Sequence, residues 1–167
     1  MKHLKHYYAI LILILAMVSC SSEADLGIFE GNGDIGNVGF SGSVAFNSSD
    51  SSYAVSGGGT NMWFASDELH YVWKKVSGDI SISADIEWIG EGLDPHRKAC
   101  LIIRQDLDTA SVYVDAAVHG DGLTSIQYRA ETGDITREVQ ANISSPGRVS
   151  IEKVGDYYSL SVAATDE

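Results

Sequence analysis

A chain of 167 residues, 44% of them apolar, is long enough for one domain with its own core. Its 23 acidic residues against 11 basic ones give a formal charge of −12, which argues against nucleic acid and anionic membrane surfaces as partners. Two cysteines exclude a disulfide-dense scaffold.

Lys2 and Lys5 precede an unbroken apolar run from Tyr8 to Val18. The run is too short to span a membrane and suits the apolar region of a signal peptide. It ends in Ala16-Met17-Val18-Ser19-Cys20, which resembles the signal of bacterial lipoproteins, with Met17 standing where Leu is usual. The resemblance implies a signal peptide over 1–19, a lipidated Cys20, and a polar tether through residue 27. Ser21 resembles a signal for outer-membrane sorting, and Glu23 and Asp25 resemble one for surface export. The expected address is therefore the outer membrane, facing periplasm or surface, with the lipid as the membrane contact. Loss of Lys2 and Lys5 leaves nine basic residues against 23 acidic, a formal charge of −14. With Cys20 taken by lipid, Cys100 is alone in Ala99-Cys100-Leu101-Ile102-Ile103 and reads as a buried, inert thiol.

Beyond the tether, Gly31-Asn32-Gly33-Asp34-Ile35-Gly36-Asn37 reads as a turn region. Short strands are predicted over 42–46 and 52–56, around the turn Asn47-Ser48-Ser49-Asp50. Gly57-Gly58-Gly59-Thr60 then breaks the chain before Asn61-Met62-Trp63-Phe64. Residues 68–76 form a strand dense in aromatics, with His70, Tyr71 and Trp73. After Ser77-Gly78-Asp79, Ile80, Ile82, Ala84, Ile86 and Trp88 face one way and Ser81, Ser83, Asp85 and Glu87 the other. Residues 90–95 form a loop. Residues 98–104 are apolar at nearly every position, as in a central strand covered on both faces.

The stretch 111–129 reads as a β-hairpin turning at Gly120-Asp121-Gly122, with two glycines available for positive φ. With His119 facing Leu123, Asp115 lies opposite Gln127 and Tyr113 opposite Arg129. Val112, Val114, Ala116, Val118, Ile126 and Tyr128 then form the core-facing side. Tyr113, Asp115, His119, Gln127 and Arg129 share the other side, which is expected to be open. Strands over 135–140, 148–153 and 157–163 complete the pattern, and no stretch has a helical period. Short strands at this spacing, with Gly, Asn and Asp at the joints, predict an all-β antiparallel sandwich or jelly roll. The chain stops directly after a strand, so a domain lacking its last strands is expected.

His70-Tyr71-Val72-Trp73-Lys74-Lys75-Val76-Ser77-Gly78-Asp79, Asp94-Pro95-His96-Arg97-Lys98-Ala99 and Tyr113-Val114-Asp115-Ala116-Ala117-Val118-His119-Gly120-Asp121-Gly122 together resemble one family. It is the family of concanavalin A-like jelly rolls named after a "regulation of enolase" protein. The resemblance covers residues 28–163. It implies a domain found in secreted bacterial proteins, sometimes joined to a Tol-type propeller, and no agreed reaction.

Sugar sites on sandwiches combine aromatic platforms with a few hydrogen-bonding side chains. Tyr113, Asp115, His119, Gln127 and Arg129 match that inventory, with Trp63, His70 and Arg97 extending it. A carbohydrate-binding face without catalysis is therefore the leading expectation, with glycan or an envelope protein as partner. The alternatives are a glycoside-active enzyme and a non-catalytic accessory domain of a propeller protein. The enzyme needs two carboxyls. Asp85-Ile86-Glu87 lies on a solvated strand face, and Asp115 has Gln127, not an acid, as its partner. His96 and His119 lack the short spacing of a transition-metal site. No cofactor is expected, with a structural Ca²⁺ on Asp34 or Asp121 left open.

Overall fold

The computed structural model describes residues 24–92 and 94–164. The expected signal peptide and the lipidation site Cys20 lie outside those residues. Eleven strands and no helix make up the described chain: β1 (Gly31–Ile35), β2 (Ser43–Asn47), β3 (Ser52–Ser56), β4 (Leu69–Trp73), β5 (Ile80–Asp85), β6 (Lys98–Arg104), β7 (Tyr113–His119), β8 (Thr124–Arg129), β9 (Arg137–Gln140), β10 (Arg148–Val154) and β11 (Tyr157–Ala163). They pair antiparallel in four open sheets, in the orders β6-β7-β8-β9, β11-β10-β5, β1-β4 and β2-β3.

The three-stranded sheet shows how alternation builds a layer. Ile82, Ile151 and Leu160 stand in one row across it, and Ala84, Val149 and Val162 in the next. That face packs toward β6 and β7, and Val149 and Ile151 at its centre are fully buried. Full burial of a Val or Ile side chain stabilises by about 1.5–3 kcal/mol, so these central positions hold the two sheets together.

Of the region expected to be a turn at 31–37, residues 31–35 are instead strand β1, paired to β4 over five residues, and Gly36 follows it at φ 79°. The glycines serve packing there. The Trp73 ring lies against Gly31 and Gly33, and a Cβ on Gly31 would stand 2.8 Å from the ring. Composition announced a turn, but the demand of a cross-strand tryptophan for a bare backbone decided the outcome.

The hairpin register is as expected: Asp115 opposite Gln127, Tyr113 opposite Arg129, and His119 N–H donating to Leu123 O at 2.8 Å. Its turn uses one left-handed glycine, Gly122 at φ 95°. Gly120 is needed for space, because the Arg97 guanidinium lies against it.

The side of the hairpin expected to be open is not. Tyr113 is 1% exposed, Asp115, Gln127 and Arg129 are 0%, and His119 is 4%, while Val112 and Val114 on the apolar side are half-buried. The cause is a strap, residues 57–68, that crosses this face. Tyr113 Oη donates to Met62 O at 2.6 Å, and Thr136 N–H donates to Trp63 O at 3.1 Å. Asp67 N–H donates to Thr109 O at 2.8 Å and ties down the far end.

Candidate functional site

The strap divides the covered face into a sealed end and a half-open mouth. At the sealed end all five guanidinium hydrogens of Arg129 are used. Nη1 donates to Asp67 Oδ2 at 2.9 Å and Ser111 O at 3.0 Å, and Nε donates to Asp134 O at 2.8 Å. Nη2 donates to Asp67 Oδ1 at 2.6 Å and also to Phe64 O. Arg104 Nη1 lies 3.3 Å from Asp67 Oδ2 without hydrogen-bond geometry, so two guanidinium groups flank one buried carboxylate. Arg129 also stands over the Tyr113 ring, 5.1 Å from its centroid, a cation–π contact between the two cross-strand neighbours. The Tyr113 hydroxyl is engaged by Met62 O and by Thr136 Oγ1 at 2.7 Å. Tyr113 and Arg129 are thus spent on holding the strap.

Asp115 sits mid-face; the Gln127 N–H and the Cys100 thiol lie near its carboxylate, but neither makes a hydrogen bond of full geometry to it. Burial pushes its carboxyl up to about 7. Lys98, the Gln127 N–H and the Cys100 thiol oppose that rise without restoring the ordinary value. The Cys100 thiol is itself pushed well up by burial and by Asp115, as an inert thiol should be.

The mouth is organised by Gln127. Its Oε1 accepts from Lys98 Nζ at 3.0 Å, so its Nε2 has two hydrogens to share among Glu138 Oε1 at 3.0 Å, Ser125 Oγ at 3.2 Å and His119 Nε2 at 3.1 Å. Where one of these hydrogens goes to His119 Nε2, the neutral ring carries its proton on Nδ1, a buried atom with no partner. Burial and the nearby Lys98 charge lower the His119 pKa and favour that neutral ring. Glu138 goes the other way. Burial would raise its carboxyl, but hydrogen bonds from Gln140, Ser125 and Gln127 outweigh it and hold the group below its ordinary value. Lys98 Nζ also donates to Asn61 Oδ1 at 3.1 Å and lies 5.6 Å from the centre of the half-buried Trp63 ring. The exposed His96 meets His119 edge-on at 5.8 Å, and Arg97 beside it stacks at 4.8 Å on Trp88.

Of the residues singled out from sequence, the mouth gathers Trp63, His119 and Gln127, with Arg97 at its edge. His70 stands apart. It lies in the β1–β4 sheet, where its Nδ1 is 2.8 Å from Asp34 Oδ1, and its side chain is 3% exposed. Lys98, Asn61 and Glu138 were not singled out. The Glu138 position was readable from alternation in 135–140, which sets it opposite Gln127 once β8 and β9 pair. Asp115, Gln127 and Glu138 form one row, and two strand spacings separate the outer pair by about 9.5 Å.

Asp34 and Asp121 are the aspartates considered for Ca²⁺. Asp34 accepts from Gly42 N–H at 3.0 Å and faces His70, and Asp121 Oδ1 accepts from Leu123 N–H at 3.1 Å. Among the described residues no group of three or more His, Cys, Asp or Glu side chains could hold a metal ion. No family model, curated protein or solved structure matches this chain.

Proposed function

We propose that the protein is a carbohydrate-binding module of the cell envelope, built on a concanavalin A-like jelly-roll sandwich and held at the outer membrane by lipid on Cys20. The sugar sits at the mouth of the strap-covered face. The observation that carries this reading is the continuous cluster running from Trp63 through Lys98 and Gln127 to Glu138, His119 and His96. It offers an aromatic ring, a cation, an anion and imidazole groups at a partly exposed edge, the mixture that orients a polyhydroxylated ligand. Tyr113 and Arg129 act as structure in this account, and His70 does not contribute.

The test is a glycan array followed by titration calorimetry with any hit. Trp63→Ala and Glu138→Gln are expected to weaken binding at least tenfold. Tyr113→Phe is expected to leave binding within about twofold, because the ring still packs under the strap and Thr136 Oγ1 still donates to Met62 O at 2.8 Å. A folded sample that binds no glycan sinks the sugar reading. Capture of a defined envelope protein by that sample supports the accessory-domain reading instead.

One observation favours the enzyme as a second reading. Asp115 is raised while Glu138 is lowered on the same face, the split expected of a general acid and a general base. Their backbones stand about 9.5 Å apart, two strand spacings, and an inverting glycosidase needs about 6.5–9.5 Å between the carboxyls themselves. Against it stands the complete burial of Asp115, which keeps its carboxyl from touching a substrate. Glycan hydrolysis that is lost in Glu138→Gln decides for the enzyme.

A further inference from the structure

The two larger sheets are of unequal width, and the mismatch leaves room for one more strand. β10 packs against β6 and β7, and β11 against β8, so the sheet β11-β10-β5 ends where the facing sheet continues into β9. β9 overhangs an open groove of about 320 Å³. Ile126 and Val139 line its roof, and Tyr158, Leu160 and Val162 of β11 line its wall. Val139 lines this interior groove yet is 60% exposed, and Tyr158 is 37% exposed. The roof lies on the face of β8 and β9 opposite to Gln127 and Glu138, so the groove is separate from the mouth.

The wall of the groove is also a free strand edge. Among the described residues no strand pairs with the outer side of β11. Ala163 O accepts from Gly147 N–H at 3.1 Å, so Ala163 turns toward β10, and alternation gives Ser161 and Ser159 the same direction. Tyr157, which closes the two-residue turn after Val154, faces β10 as well. Tyr158, Leu160 and Val162 therefore turn their N–H and C=O groups to the free side. Their side chains and their backbone groups converge on one groove.

Edge strands are commonly guarded by charge, proline or shortness. β9 is four residues long and carries Arg137 and Glu138. β11 runs seven residues, Tyr157–Ala163, without a charge or a proline. A second copy offering its own β11 does not fit, because the β8 that covers that strand would enter the space β9 fills. The groove takes a single extended segment and excludes a sheet edge backed by a second layer.

We propose that the groove under β9 receives an extended segment of a partner protein, apolar at alternate positions and basic in between, paired antiparallel to β11. Antiparallel pairing sets the apolar residues opposite Tyr158, Leu160 and Val162, where they bond the free backbone groups and pack under Ile126 and Val139. The intervening side chains emerge beside Tyr157, Ser159 and Ser161. On that face Glu152 is exposed and has no ion-pair partner among the described residues. A chain with 23 acidic residues against 11 basic ones favours a cationic segment over an anionic one.

The test uses the purified full chain and a fluorescein-labelled peptide, Lys-Val-Lys-Val-Lys-Val-Lys, read by fluorescence anisotropy. Saturable binding is expected. Methylating the valine backbone nitrogens, which face β11, is expected to abolish it, whereas methylating the lysine backbone nitrogens is expected to leave it within about twofold. Val139→Ser is expected to weaken binding about fivefold or more by removing apolar contact from the roof. Hydrogen exchange at the Tyr158, Leu160 and Val162 amides is expected to be fast in the free protein and about tenfold slower or more in the complex. Absence of saturable binding overturns the proposal. Equal binding of the two methylated peptides shows association by charge alone and also overturns it. Slow exchange at the three amides before peptide is added shows that another stretch of polypeptide or a second copy already covers the edge, and overturns it too. Glycan binding is read on the opposite face, so either proposal can fail without the other.

Discussion

Replacing Asp115 with Asn keeps the shape of the side chain and removes its charge, which isolates what that carboxyl does to stability. An unfolded Asp ionises near 3.8, whereas Asp115 in the fold holds its proton up to about 7. Between those values the native state binds more protons than the unfolded one, so stability falls as pH rises. The penalty is absent below the unfolded value and complete above the folded one. A shift of about three units at 1.36 kcal/mol each makes it roughly 4 kcal/mol for this fully buried group. The assay is urea denaturation of wild type and Asp115→Asn at intervals from pH 4 to pH 8. His119, lowered by burial, pulls the other way, because stability is lost as pH falls below 6.5. It is present in both proteins and drops out of the difference. The slope is the quantity to read, since a packing change that alters no titration displaces the curve vertically without tilting it. The wild type minus variant difference is expected to decline by several kcal/mol across the window. Equal slopes refute the reasoning and mean that Asp115 is solvated or paired.

Asp67→Ala leaves the fully buried Arg129 and the nearly buried Arg104 without their shared carboxylate, and breaking such a buried cluster is expected to destabilise by about 3–5 kcal/mol, read by urea denaturation. The exposed pair Asp85–Arg148 is bidentate at 2.6 and 2.7 Å, yet Asp85→Asn is expected to leave the melting temperature within error because water screens it. Gly31→Val forces a side chain into the Trp73 ring and is expected to destabilise by about 1–3 kcal/mol, with a shift in near-ultraviolet circular dichroism from the displaced indole.

Alternation of period two was enough to read the hairpin register and the apolar rows of β5, β10 and β11. It says which side chains share a face, but not what covers that face. The strap that buries Tyr113 and Arg129 comes from residues 57–68, and the Asp67 carboxylate that satisfies Arg129 lies 62 positions away in sequence. No local pattern couples the two. Fully polar positions on a strand invite the expectation of solvent, and here a chain segment takes its place. β1 was misread for a related reason, since its glycines answer to Trp73 across the sheet and not to their neighbours in sequence. Asn61 sits in a glycine-rich stretch that looks featureless until the fold brings it to Lys98.

The most direct test of the binding account is a proton–nitrogen correlation spectrum recorded during titration with a glycan found on the array. The chain has three tryptophans, so its indole N–H signals are few enough to assign by Trp→Phe substitution. The account predicts that the Trp63 indole and the Gln127 side-chain amide move together and saturate, while the Trp73 indole stays in place. Saturable shifts at Trp73, or on β10 and β11 with Trp63 unmoved, contradict it and put the ligand on a different face.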